Sequence, residues 1–167
     1  MKFEKYIYIL SQHFQFFSFN FNFNFSSLQL SIKSSTLAVM VQQITKGIKI
    51  SVKTKYDGTL YRNYRLYHNF SYYITIENES LETVQLTDRF WKILDSLNTT
   101  EIVEGEGVVG QTPILEPQDT YTYKSGCFLL STIGAMSGFY TMLNLETQNN
   151  FDVAIPTFQL STPVSLN

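Results

Sequence analysis

From Met40 onward apolar side chains fall on every second residue, and that period restricts the chain to strands. Ile48, Ile50 and Val52 alternate with Lys49, Ser51 and Lys53. Phe70, Tyr72, Ile74 and Ile76 alternate with Ser71, Tyr73, Thr75 and Glu77. Successive side chains of a strand point to opposite faces, so this pattern gives one buried and one wet face. No window carries the 3.6-residue apolar stripe that a surface helix needs. Further runs follow at residues 84–86 leading into 89–94, then 100–103, 121–123, 128–132, 138–145 and 151–155, the last closed by Pro156. Asp57-Gly58, Asn78-Glu79-Ser80 and Lys124-Ser125-Gly126 read as turns, and the tyrosine-rich residues 61–67 as a loop or ragged edge. About eight short strands at steady spacing predict an all-β domain, a β-sandwich of immunoglobulin-like type, with a closed barrel as the alternative. The lone Trp91 is the expected core anchor, because an aromatic of that size removes roughly 150–250 Å² from water.

Residues 1–39 do not share this pattern. Residues 14–25 are rich in phenylalanine, alternate it strictly with asparagine over residues 19–25, and carry no charge and no proline. That is the profile of a strand with a tendency to aggregate. A signal peptide fits poorly, since Glu4 interrupts the basic start and Asn punctuates the apolar stretch. A membrane-surface or edge strand is a further reading. The composition also matches A/T-rich codons, as translated upstream sequence would. We therefore place the functional domain at residues 40–167, with Met40 as its expected start.

The run Val103-Glu104-Gly105-Glu106-Gly107-Val108-Val109-Gly110 contains G-x-G-x-x-G, a spacing used to hold nucleotide phosphates. Such a loop needs a helix after it, so that backbone N–H groups and the helix N-terminus face the anion. Here Pro113 and Pro117 follow at once, which does not build a helix interior. Glu104 and Glu106 would also repel a phosphate. The three glycines read as turn and bulge positions.

Other function classes have little to stand on. From Met40 the chain carries nine basic and thirteen acidic residues, a net −4, which is no footprint for nucleic acid. No stretch is long and apolar enough to span a bilayer as a helix. Cys127 is the only cysteine and lies in an apolar run, so it reads as a buried inert thiol in a reducing, cytoplasmic setting. His13 and His68 are the only histidines. They supply neither a Ser-His-Asp set nor a zinc cluster, so the residues imply no catalytic group, no metal and no cofactor.

The order of the motifs resembles the ApaG domain family. The matching pieces are Gly47-Ile48, Tyr72-Tyr73-Ile74-Thr75-Ile76-Glu77-Asn78, Val84-Gln85-Leu86, Arg89-Phe90-Trp91, the glycine run, Pro113-Ile114-Leu115, Tyr123-Lys124-Ser125-Gly126, Gly134-Ala135-Met136-Ser137-Gly138 with Tyr140, and Ile155-Pro156-Thr157-Phe158. The resemblance implies a fibronectin-III-like sandwich in a small, soluble bacterial protein. Members occur beside diadenosine tetraphosphate hydrolase and are linked with cobalt and magnesium tolerance. In eukaryotes the domain is fused to F-box and polymerase-interacting proteins, where it resembles an interaction module. Many members have His in place of Phe90 and Glu-Gln in place of Gln111-Thr112. No catalytic residues carry over.

Three functions follow as expectations. The first is a non-enzymatic domain with a protein partner, drawing on Tyr61, Tyr64, Tyr67, Tyr72 and Tyr73; tyrosine is enriched at interfaces, although sheet-face packing explains tyrosines equally well. An exposed sheet edge could also pair with a second copy to give a homodimer. The second is nucleotide or pyrophosphate binding by Gly105, Gly107 and Gly110, with Arg62, Arg65 or Arg89. The third is weak divalent-cation binding by carboxylates among Asp88, Asp95, Glu101, Glu104 and Glu106.

Overall fold

Alternating side chains can bury one face of a sheet only against another sheet, and this chain does so with itself. The computed structural model describes residues 40–163. The Phe/Asn segment and the expectation about Met40 lie outside the described residues. The elements are β1 (Met40–Thr45), β2 (Ile48–Arg62), β3 (Arg65–Asn78), β4 (Val84–Asp95), β5 (Glu101–Glu106), β6 (Ile114–Leu115), β7 (Thr120–Leu129), β8 (Ile133–Asn144) and β9 (Asn150–Ser161). One sheet has the order β1-β2-β3-β7 and the other β5-β4-β8-β9, with β6 also paired to β4. Every described ladder is antiparallel. The two sheets form an all-β sandwich, as the alternation predicts.

The core is where the period-two residues meet. Ile48, Ile50 and Val52 from β2 and Phe70, Tyr72, Ile74 and Ile76 from β3 are all buried. Leu86, Trp91, Met136, Tyr140, Met142, Val153, Ile155 and Phe158 face them from the other sheet. Trp91 joins the layers. Its ring centroid lies 5.6 Å from Tyr72, 6.3 Å from Tyr140 and 5.9 Å from Phe158. The last two are edge-on, the geometry the ring quadrupole favours. A second tie between sheets is the hydroxyl pair of Tyr123 on β7 and Tyr140 on β8, which satisfies two buried polar groups at once.

Four sequence expectations change. Asp57-Gly58 is not a turn but lies inside β2, where Asp57 is the extra residue of a bulge between Tyr56 and Gly58. Residues 61–67 are not a loop: they form the distal part of a long hairpin, because Asn63-Tyr64 closes a two-residue turn. Lys124-Ser125-Gly126 does not break a strand but lies inside β7, with Gly126 opposite Ser71. A glycine is required there because a Cβ would stand 2.7 Å from the Phe70 carbonyl oxygen. Pro156 does not end β9. It sits in a bulge, where Pro156 and Thr157 face Ser137, on a strand at the edge of its sheet. Those are the places where a strand tolerates a missing N–H.

Because Trp91 is 3% exposed and touches aromatic rings from both sheets, Trp91→Ala is expected to cost about 3–5 kcal/mol. The loss should exceed that of Arg89→Ala. Urea unfolding of the two variants, followed by circular dichroism, measures the order.

Candidate functional site

The glycine run is an interruption of one edge strand. β5 and β6 both pair with the same side of β4, and residues 107–113 bulge outward opposite Leu86 and Thr87. The excursion is pinned at both ends. The Gly107 N–H donates to the Thr87 carbonyl at 2.7 Å, and the Leu86 N–H donates to the Pro113 carbonyl at 3.0 Å. Inside it, Val108 and Gln111 exchange N–H···O bonds of 2.8 and 3.0 Å around Val109 (φ 50°) and Gly110 (φ 73°). Two successive positive φ values make this a type I′ turn. Val108 is buried and anchors it in the core. No helix follows; the chain enters β6. The amides of Gly107, Val108 and Gln111 are therefore already donating to backbone carbonyls.

Arg89 completes the loop. A register shift at Thr87 puts Arg89 and Trp91 on the same, inward face of β4. The Arg89 Nη1 donates to the carbonyl oxygens of Glu106 and Gly107, both at 2.7 Å. Gly105 lies opposite Arg89, and a Cβ there would stand 3.3 Å from Nη2, so the missing side chain makes room for the guanidinium. Pairing with Asp88 or a loop carboxylate is the ordinary expectation for an arginine at this position; Arg89 holds loop carbonyls instead. The structure brings Gly105, Gly107, Gly110 and Arg89 together. It places Arg62 and Arg65 on the β2–β3 hairpin of the other sheet.

Groups that could do chemistry are withdrawn from it. Burial pushes the Tyr72 phenol up to about 12 and raises those of Tyr123 and Tyr140 as well. Burial likewise pushes the Cys127 thiol up to about 12, away from a reactive thiolate. The His68 Nδ1 lies 3.1 Å from the Tyr56 hydroxyl. Among the described residues no three His, Cys, Asp or Glu side chains converge as metal ligands would. Asp95 in particular is engaged: its carboxylate accepts from the Leu97, Leu130 and Ser131 N–H groups at 3.1, 2.7 and 3.2 Å, tying the end of β4 to the β7–β8 connection. Near the β1–β2 turn an open recess of about 230 Å³ lies between Lys46, Ser80, Glu82, Asn144 and Phe151. Its groups engage each other: Asn144 donates to Glu82, and the Lys46 ammonium sits 5.1 Å from the Phe151 ring centre.

What remains exposed is an arm. β2 pairs with β1 only over Ile48 to Lys53, and β3 pairs with β7 only from His68 onward. Residues 58–62 and 65–67 thus pair only with each other, among the described residues. A bulge at Asp57 bends the ribbon at its base. Leu60, Tyr61, Tyr64 and Leu66 are exposed, Tyr64 at 94%. The turn residues Asn63 (φ 47°) and Tyr64 (φ 59°) make a type I′ turn without a glycine. The sequence signal was there in Asn63 between two apolar runs, but the missing glycine hid it.

Residues 59–144 match the ApaG domain. Protein ApaG of Brucella anthropi is 42% identical over 124 residues, covering 74% of this chain and 95% of that protein. Protein ApaG of Mesorhizobium japonicum is 41% identical over the same share of both. The chain belongs to the ApaG domain family. Its fold recurs in an ApaA protein from Bordetella pertussis, solved by crystallography, at 33% identity and TM-score 0.64, over 71% of this chain and 95% of that one. A structural-genomics X-ray structure is similar at 38% identity and TM-score 0.66, over 70% and 88%. No helix among the described residues is long and apolar enough to cross a membrane.

Two measurements test this ApaG loop and its surroundings. Gly110 has open space around it, so Gly110→Ala pays only left-handed strain of about 1–2 kcal/mol. Gly107→Ala should cost clearly more, since its Cβ would also stand 2.2 Å from the Gln111 carbonyl oxygen. Thermal unfolding of both variants ranks them. For Asp95, partial burial raises the carboxyl, but hydrogen bonds from Ser131, Leu130 and Leu97 outweigh it and hold the group below the usual 3.8. A lowered folded value stabilises the fold above the unfolded value and loses that contribution as pH falls through the folded one. Asp95→Asn should therefore cost about 1–3 kcal/mol near neutral pH, with the gap to wild type closing as pH falls through the lowered folded value. Denaturant titrations across pH check both the size and the closing.

Proposed function

We propose that this chain is a non-enzymatic ApaG domain that acts by binding another protein, and that the β2–β3 arm is its docking surface. The observation that carries this reading is Tyr64: a large aromatic, 94% exposed, in a left-handed backbone that costs about 1–2 kcal/mol for a side chain with a Cβ. Strain of this kind persists where function needs the residue. Tyr61 and Tyr64 with Arg62 and Arg65 are the residue types that dominate interface energetics. The family's link with cobalt and magnesium tolerance then runs through a partner protein, since no convergent ligand set among the described residues supports direct coordination. Polyphosphate binding by Gly105, Gly107 and Gly110 has less support, because the loop amides and the Arg89 Nη1 are engaged with carbonyl oxygens.

Replacing Tyr64 separates folding from binding. Tyr64→Gly relieves the strain and should raise stability by up to about 1 kcal/mol. A photo-crosslinking side chain at position 61 should give discrete protein adducts in the native cell. Those adducts should disappear in the Tyr64→Gly background, and a crosslinker at Thr122 should not produce them. Absence of adducts at position 61, or adducts indifferent to Tyr64, would count against the arm. Saturable binding of pyrophosphate or diadenosine tetraphosphate in calorimetry would favour the loop instead.

A further inference from the structure

At the tip of the arm, Arg62 stands directly opposite Arg65 in the β2–β3 register. Like charges in directly opposed positions destabilise a ladder. Among the described residues neither guanidinium has an ion pair; the acidic residue of the arm, Asp57, is held by Lys55 at 2.8 Å and by the Ser71 hydroxyl. The tip therefore breaks two local rules at once, with opposed cations beside a strained tyrosine. An anionic partner that closes over the tip removes the charge conflict.

The same chain carries the complementary surface. On β5, a strand at the edge of its sheet, Ile102, Glu104 and Glu106 share one exposed face. Neither Glu104 nor Glu106 has an ion pair among the described residues. On the arm, Leu60, Arg62 and Arg65 share one face by the same period. Arg62 and Arg65 lie side by side across the hairpin ladder, and Glu104 and Glu106 follow each other along β5, so each surface presents a pair of like charges and the two pairs are opposite in sign. Residues i and i+2 of a strand lie about 6.6–6.8 Å apart, and opposed residues of a hairpin about 5 Å, a difference that arginine side chains span. We infer that the arm docks on the β5 face of a second copy of this chain, Arg62 and Arg65 on Glu104 and Glu106. The arm and β5 are different surfaces, so the pair closes as a dimer when two copies exchange arms about a two-fold axis, each contact then occurring twice. This inference rests on the reading of the arm as a docking surface, and it names the partner.

Sedimentation equilibrium of the full chain tests it. The wild type should dimerise reversibly, and more weakly as salt rises. Arg62→Glu with Arg65→Glu should weaken association about tenfold or more, and so should Glu104→Arg with Glu106→Arg. Mixing the two double variants should restore dimers, because both contacts are then complementary again. Circular dichroism and thermal melts establish that each variant is folded. Monomers at every concentration up to millimolar, or a dimer unmoved by either reversal, would overturn the inference. So would mixed variants that remain apart. Monomers that still give Tyr64-dependent adducts in cells would overturn only the second copy, leaving the arm as a docking surface for another protein. Monomers without such adducts would remove both.

Discussion

The contact on which the rest of this molecule depends is Trp91 wedged between the two sheets. It stands on a central strand of one sheet, yet it packs against Tyr72 of the other as well as Tyr140 and Phe158 of its own. Apolar burial near 25 cal/mol per Å² makes one such ring worth several kcal/mol, more than any exposed ion pair. Trp91 faces inward because β4 carries an extra residue at Thr87. Without that bulge, strict alternation from Leu86 would put Trp91 outside and Phe90 inside. The same bulge offers the Thr87 carbonyl to Gly107, so core phase and glycine loop are set by one irregularity.

This coupling explains why the loop has a nucleotide-like spelling without a nucleotide-like shape. Gly105 clears space for the inward Arg89, Gly107 meets a left-handed φ against the Gln111 carbonyl, and Gly110 closes a turn. Each glycine answers a local demand of an interrupted edge strand. The interruption also shortens β5, and a short edge strand with carboxylates on its outer face resists uncontrolled pairing.

The fold was legible in the sequence because burial imposes a period that the residues must carry. Ile48, Ile50, Val52, Ile74 and Ile76 all reach the core as their alternation indicates. Trp91 was recognised by size, since the bulge at Thr87 conceals its phase. Gly126 and Pro156 misled for the same physical reason. Both usually end strands, but one serves a close approach to the Phe70 carbonyl and the other fills an edge bulge, and neither neighbour is near in sequence. For the candidate site, the resemblance named the family, while the arm stayed hidden. Whether Arg62 faces Arg65 depends on a two-residue turn, and Asn63-Tyr64 lacks the glycine that advertises one. Arg89 was misplaced because its partners are carbonyl oxygens, which no residue name reveals.

Val109 and Tyr64 are among the non-glycine residues that hold left-handed backbones in turns of the same type, as Lys46 also does, and the comparison between these two is informative. Val109 is followed by Gly110, and its turn is closed by paired backbone bonds beside the buried Val108. Packing there offsets the strain, so the folded state itself accounts for it. Tyr64 has no such compensation: its ring is in solvent, its neighbours are exposed, and the nearest charges are two opposed arginines. A glycine at that position would form the turn better and lose nothing within the fold. What a glycine cannot supply is an aromatic surface flanked by guanidinium groups. The fold itself gives no reason for an aromatic at position 64; the docking role proposed for the arm supplies one, whereas each glycine of the loop is already accounted for within the fold.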